Sequence, residues 1–584
     1  MKVLLLHPED KFPPSGPASR WDLVVDFGRA PVSTYESWSR EAGCRVISLY
    51  EFAEEIKDLH RTRNLLQPGM GQIVDRCGID WWDVLSLEIE PDLQQMMLIH
   101  RLAKELNRDC ELYSSRPGPL ATALQVLLGG ELINLEDRFQ RGLRGARHYL
   151  DVVPRLDAVQ LAQVFQDKFD REHSVRRRLA RRWHSSGQPL VLLPSAYVNV
   201  SRTAVAYAAV LPSQQFLLVC ARNTAKLKDL PANVSMTSLD SYFIPADQQE
   251  IASLFQSWAR LKIRLIASAE EFRAADAVGV LRRMPSLIRW GVAVCNAWKR
   301  VFESETFVAC LCADDSNPYT RIPLILAKKR GLPAIACHHG AMDSWMATKT
   351  QHADFYLAKG EMERDYLLRV CQLAGETIVI GAPNASLAPL EHRNEAHRPW
   401  LVFFTEPYEA WAWRRDEVYR DLLPRLSSLA QTCGLKLVFK IHPFESVKSH
   451  RRLLRRHLPE EEARQIGVLA GPPSPQLWQN TRFALTVQST VALECTCLGI
   501  PVFLCSWLRD PYNAYLPQYA SFGIGQTLNS PVDLERVPQM LSRYEFRSEI
   551  REKLASRITP GVLKGMLGGH PTEDVVKPTM LEVS

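Results

Sequence analysis

The sequence predicts an α/β protein with two Rossmann-like domains facing a cleft and an enlarged, helix-rich N-terminal region. Two observations carry that expectation. Short, nearly continuous apolar runs alternate with amphipathic stretches along most of the chain, the pattern of parallel strands buried on both faces between helices. A polar, proline-bearing stretch, NASLAPLEHRNEAHRP (384–399), then interrupts the alternation before it resumes, as an interdomain linker does. At 584 residues the chain also exceeds what one ordinary core organises.

Taken in order, KVLLL, DLVVDF and CRVISLY read as strands, and STYESWSREAG between the last two reads as a helix ending at Gly43. Residues 51–107 are mostly helical by pattern, and CELYS, ALQVLLGG and ELINL suggest strand, helix and strand. A basic amphipathic stretch runs on to about Trp183, so that 51–183 reads as a helical insertion. A second strand–helix series opens with QPLVLLPSAYVNVSRTAVAYAAV and QQFLLVCAR. It continues through a helical 247–300 to FVACLCADDSNPYTRIPLILAKKRGLPAIACHHGAMD, ADFYLAKG and ETIVIGAP. Beyond the linker come WLVFFTEP, LKLVFKIHP, IGVLAG, FALTVQS and IPVFLCS, each followed by a helix or short turn. The domain reading is therefore 1–383, linker 384–399, 400–545, and a C-terminal helix and tail over 546–584.

Composition excludes several classes. With 46% apolar and 23% charged residues and no low-complexity tract, the chain is of soluble globular type. The opening MKVLLLHPEDKF lacks the long apolar region of a signal peptide, and nowhere do 18 uncharged apolar residues run together; the expectation is a cytoplasmic protein that does not span a membrane. The 13 cysteines show no metal-ligand rhythm, and Cys310, Cys312, Cys495 and Cys497 read as buried thiols. The net charge of +6 gathers in HSVRRRLARRW (173–183) and HRRLLRRH (450–457). These are solvated helix faces or contacts to anionic membrane headgroups or an anionic acceptor. No aromatic platform accompanies them, so nucleic acid is not expected as a partner.

The stretch FKIHPFES (439–446) puts an imidazole and a proline at the exit of an apolar strand. Parallel sheets bind ligands beyond the carboxyl ends of their strands, where strand order reverses. Pro443 biases His442 toward an extended backbone that aims its ring out of the sheet. Lys440, two residues earlier, shares its face. About fifty residues on, a strand ends at Gln488, Ser489 and Thr490 form the turn, and a helix begins, with Glu494 one turn in. Alone, such a start is an ordinary N-cap; paired with the strand-terminal His-Pro it reads as an anion site. His7–Pro8 and His570–Pro571 lack such a partner and read as incidental.

A second candidate lies before the linker. ACHHGAMDSW (336–345) places His338 and His339 at a strand exit, with Gly340 leaving room for a substrate. A near-neutral imidazole suits removal of a proton from a hydroxyl; the alternative is one packed and one exposed loop histidine. Asp314 and Asp315, at the end of the preceding strand, can orient His339, act as bases themselves, or serve turn and capping chemistry ahead of Pro318.

A His-Gly loop closing one Rossmann-like domain, followed in a second by Lys-x-His-Pro and Ser-Thr-x-x-x-Glu, resembles the GT-B glycosyltransferases over about 305–510. More narrowly it is similar to bacterial surface-polysaccharide enzymes, namely capsular 3-deoxy-manno-octulosonic acid transferases and CDP-glycerol glycerophosphotransferases. The resemblance implies that His442, Ser489 and Thr490 hold the donor phosphate, that Glu494 holds ribose, and that His339 is the catalytic base. It implies no metal and no cofactor beyond a nucleotide-activated donor, CMP- or CDP-linked, with a glycan or lipid-linked acceptor. The doubled His338–His339 departs from the family pattern, as does the lack of the Asp-Gly base motif of bacterial sialyltransferases. Two rivals share the fold: a nucleotide-sugar 2-epimerase working through Asp314, Asp315 and Glu361, and a non-catalytic nucleotide-responsive scaffold in a polysaccharide assembly complex.

Overall fold

A computed structural model describes residues 1–12, 21–106, 109–116, 118–135, 187–244, 247–340, 352–383, 398–442, 445–512, 515–545, 548–554 and 556–569. The basic run 173–183, most of the 384–399 linker, Pro443 and the His570–Pro571 pair lie outside the described residues.

The apolar runs form three parallel sheets. The first contains β1 (Lys2–Leu6), β2 (Leu23–Asp26), β3 (Arg45–Ser48), β4 (Glu111–Ser114) and β5 (Leu132–Asn134), in the order β3-β2-β1-β4-β5. The second contains β6 (Leu190–Ser195), β7 (Phe216–Cys220), β8 (Val234–Ser238), β9 (Phe307–Cys312), β10 (Ala334–Cys337), β11 (Phe355–Ala358) and β12 (Ile378–Ile380), in the order β12-β11-β10-β9-β6-β7-β8. The third contains β13 (Trp400–Phe404), β14 (Lys436–Lys440), β15 (Gly467–Leu469), β16 (Thr481–Thr486), β17 (Val502–Cys505) and β18 (Gln526–Leu528), in the order β15-β14-β13-β16-β17-β18. All are doubly wound: the chain lays strands to one side of its first, then returns to the other. The strand order therefore reverses at β1/β4, β6/β9 and β13/β16, the places where such sheets hold ligands.

The α/β class with a pair of Rossmann-like domains is thus the class observed, with one addition. The N-terminal region is more than a helix-rich enlargement, since its five strands close into a sheet of their own. That sheet shares a core with the second. Trp81, Trp82 and Trp298 have no exposed surface, and Trp82 stacks on Trp258 with ring centroids 6.0 Å apart. Trp81 lies so close to the helix Met284–Ser304 that a β-carbon on Gly291 would come within 2.4 Å of its ring, so only glycine fits there.

Further contacts tie the bodies together. After the third sheet the chain returns to the second: Ala382 N–H donates to Ser556 O (2.6 Å) and Ile558 N–H to Ala382 O (2.9 Å). The helix Pro560–Leu567 then packs Leu563 and Met566 into the second sheet's core. The first sheet also reaches the third directly. Arg29 N–H donates to Ala412 O (2.8 Å), and Arg414 N–H to Arg29 O (2.6 Å). Arg414 then buries its guanidinium against Asp26 at the end of β2.

Candidate functional site

At the β6/β9 reversal three strand exits converge. Ser195 ends β6 and bonds Ser201 Oγ (2.7 Å), which fixes the turn that presents Tyr197 just before the helix Val198–Ala208. Past β9, Asp314 makes an Asx turn. Its Oδ1 accepts from Ser316 N–H (2.9 Å) and the Ser316 hydroxyl, and its Oδ2 from Asn317 Nδ2 (3.1 Å) and Tyr197 OH (2.9 Å). This turn leads into the helix Pro318–Lys329. Past β10, the His338 and His339 rings lie 4.6 Å apart, and Tyr197 OH is 3.1 Å from His339 Nε2.

Tyr197 therefore bridges Asp314 and His339. Burial alone would raise the Asp314 carboxyl, but the two imidazoles and the Ser316 donors outweigh it and hold the group well below the usual carboxylate range. Burial lowers His339 against the pull of Asp314, and Lys359 adds to the lowering, so this imidazole is neutral near pH 7. A neutral ring beside an anionic carboxylate is a poised proton acceptor, since the carboxylate stabilises the cation that forms. His338 is 4% exposed and lies deeper, whereas His339 is half-buried and open to the exit.

Asp315, the residue after Asp314, has no exposed surface, and its backbone carbonyl accepts from Arg321 Nε (2.8 Å), whose guanidinium also reaches Asp83 O (3.0 Å). Asp314 is the aspartate whose carboxylate lies with the histidines, its ligand-capable oxygen within 4.8 Å of theirs. Glu361, the epimerase candidate, pairs with Arg364 on the surface of its own helix (3.4 Å). Asp314, His338 and His339 bring ligand-capable atoms within 4.8 Å of one another, a set able to hold a metal ion. Its carboxylate, however, already accepts four hydrogen bonds and is satisfied without one.

At the β13/β16 reversal of the third sheet the phosphate candidates gather. His442 leaves β14 with its N–H shared between Thr405 Oγ1 (2.9 Å) and Glu445 Oε2 (3.3 Å). The Thr405 hydroxyl donates to Glu445, which lies 3.7 Å from His450. Burial lowers His442, and Lys440 reinforces this. Lys440 is buried, its ammonium donating to Ile441 O (3.2 Å), and burial lowers its pKa also. Across the sheet, Ser489 Oγ accepts from Val491 N–H (3.4 Å) at the start of the helix Val491–Leu498, which Gly499 ends with φ of 72°. Glu494 is half-buried on that helix, and burial raises its carboxyl.

Sequence reasoning missed Tyr197 and Glu406. The latter, one residue past the Thr405 at the exit of β13, is 4% exposed, with Oε1 accepting from the Thr486 hydroxyl (3.3 Å). Its signal was present in WLVFFTEP, an acid at an apolar strand exit. Of the basic run 450–457, Arg451 and His457 bond internal partners, and Arg452, Arg455 and Arg456 are exposed, Arg456 pairing with Asp416 at the surface (2.8 Å). Cys310, Cys312, Cys495 and Cys497 are buried. No described helix is long and apolar enough to cross a membrane.

No protein-family model matches the chain, and no curated protein does. Solved structures do. The chain is similar to the lipopolysaccharide outer core galactosyltransferase WaaB, at 12% identity and TM-score 0.36, over 65% of this chain and 98% of that one. It is similar to the wall teichoic acid polymerase TagF, at 10% identity and TM-score 0.37, over 74% of this chain and 97% of that one. It is also similar to the UDP-GlcNAc 2-epimerase of Methanocaldococcus jannaschii, solved with UDP-GlcNAc and UDP, at 11% identity and TM-score 0.37, over 62% and 98% respectively.

Proposed function

We propose that the protein is a transferase of bacterial cell-surface polysaccharide synthesis, moving a sugar or glycerophosphate unit from a nucleotide-activated donor to a glycan or lipid-linked acceptor. One observation carries the reading. A neutral imidazole backed by an anionic carboxylate stands at one sheet's reversal point, and a strand-exit histidine with a hydroxyl-bearing helix start stands at another's. The first is equipped to accept a proton and the second to hold an anion.

In this mechanism the donor phosphate rests on the peptide N–H groups and hydroxyls at Ser489 and Thr490, with His442 donating to it from the exit of β14. The acceptor hydroxyl attacks the donor carbon or phosphorus while His339 takes its proton. The bond to the nucleotide breaks, and its electron pair leaves on the phosphate oxygen, where the helix start and His442 stabilise the charge. Asp314 and Tyr197 hold the resulting imidazolium in place. The side chains that act in these steps are the protein's own.

A thermal-shift panel with CMP, CDP, UDP, GDP and dTDP tests the reading, on wild type and on His442→Ala. Stabilisation of several degrees by one base class, lost in the variant, is expected. A folded wild type that no nucleotide stabilises defeats the donor site and makes the scaffold the better reading.

A further inference from the structure

Strand order sets the exits of β14, β13 and β16 side by side. His442 leaves the first, Thr405 and Glu406 the second, Ser489 and Thr490 the third. Neighbouring strands lie about 4.8 Å apart, so His442 and Ser489 stand roughly 10 Å apart with the exit of β13 between them. A phosphate group held from both sides lies across the exit of β13, where Thr405 and Glu406 stand. The Glu406 carboxyl accepts from the Thr486 hydroxyl, and the N–H groups of Gln488 and Ser489 face it. These are donors that a bound phosphate at the helix start would also use. Among the described residues no lysine or arginine forms an ion pair with Glu406, so nothing there neutralises a carboxylate placed against a phosphate.

We propose that Glu406 is a phosphate-contacting residue of the donor site that meets the nucleotide as the neutral acid, donating its hydroxyl to a phosphate oxygen, so that binding at alkaline pH takes up one proton from solvent. The inference rests on the donor-site reading above and adds the residue and the proton.

The surroundings agree. Burial pushes the Glu406 carboxyl up to about 8, against the pull of the Gln488 N–H and the Thr486 hydroxyl, with Glu445 adding to the rise. The ionisable groups facing it are Glu445 after β14, Tyr408 in the turn after β13, Tyr419 on the helix Arg415–Thr432 and Tyr519 on the helix Tyr515–Ser521. His442 and His450 stand behind Glu445. Burial raises the three tyrosines well above their ordinary range, so they stay neutral through pH 9. His442, already lowered, is neutral there as well.

Isothermal titration of the full chain with CMP, CDP and UDP at about pH 9, in two buffers of different ionisation enthalpy, counts the protons exchanged. At that pH the free carboxyl is about ten to one ionised, so wild type is expected to take up close to one proton per nucleotide. Glu406→Gln, which keeps a donor but cannot titrate, is expected to take up none and to bind about tenfold more tightly than wild type at pH 9. Nucleotide binding by wild type without proton uptake overturns the inference and leaves the donor site standing. Uptake that persists in Glu406→Gln also overturns it. Failure of every nucleotide to bind wild type at any pH defeats the donor-site reading, and the inference with it. If the variant does not fold, a wild-type count near zero still overturns the inference.

Discussion

Arg414 is the residue whose loss the first domain should feel most. Its Nε donates to Asp26 Oδ2 (2.8 Å), and one Nη completes a two-point clasp on the other carboxylate oxygen. The same guanidinium donates to the carbonyls of His7 (3.1 Å), Pro8 (3.1 Å) and Asp10 at the exit of β1. Side-chain exposure is 3% for Arg414 and 0% for Asp26, so water cannot replace either partner. In Arg414→Met the Asp26 carboxylate keeps only Gly28 N–H (2.8 Å) and Tyr35 OH (2.9 Å), and the carbonyls of Pro8 and Asp10 lose the Arg414 donor, while His7 O keeps Asp10 N–H (3.0 Å). Removing one member of a buried pair typically costs about 3–5 kcal/mol, because the other charge stays buried and uncompensated. Replacing both, as Asp26→Leu with Arg414→Met, removes that charge and should recover a good part of the loss, leaving about 1–3 kcal/mol for the orphaned carbonyls. Urea unfolding of wild type, both single variants and the double gives the coupling energy, expected at about 1 kcal/mol or more. A chain of several domains need not unfold in one step. Hydrogen exchange over 23–30 and 408–418 therefore reports the seam directly, and its amides should exchange faster in Arg414→Met. The reasoning is refuted if Arg414→Met unfolds within about 1 kcal/mol of wild type, or if the double variant is no better than the single.

Two other expectations need no knowledge of the substrate. Asp314 raises His339 against burial, so Asp314→Asn should move the His339 titration to lower pH in an NMR titration of the imidazole; an unmoved or rising midpoint removes Asp314 as its partner. Glu406 is raised from 4.5 to about 8 in the folded chain, so between those values the folded state holds a proton that the unfolded state has lost. Stability from this group is therefore full below about pH 4.5 and falls as pH rises to about 8, by a few kcal/mol at most. Denaturant midpoints of Glu406→Gln across that window should fall less steeply than those of wild type, and parallel curves would show that the carboxyl does not titrate as described.

Much of this was legible in the residues. All five strands of the first sheet stood out as apolar runs, yet a run tells that a strand is buried and not which strands it pairs with. The region therefore read as an enlargement, not as a third sheet. His442, Ser489 and Thr490 stood out as candidates because a His-Pro exit and a Ser-Thr helix start carry their geometry in the sequence. Tyr197 was not, because its meaning depends on β6 lying beside β9, more than a hundred residues away. That Asp314 meets Tyr197 and the Ser316 donors is likewise a matter of the folded turn, and composition is blind to it. Glu406 obeyed the same strand-exit rule as His442 and could have been read by it.

The seam between the first and third sheets changes what kind of machine the molecule can be. Two lobes on one linker behave as a jaw, opening as freely as the linker allows. Here the second sheet shares a core with the first, the C-terminal helix returns to the second, and Arg414 and Arg29 fasten the first to the third, so the three bodies close a ring. A ring cannot gape at one joint without opening another. Wide separation of the second and third bodies must then break or deform a fastened contact.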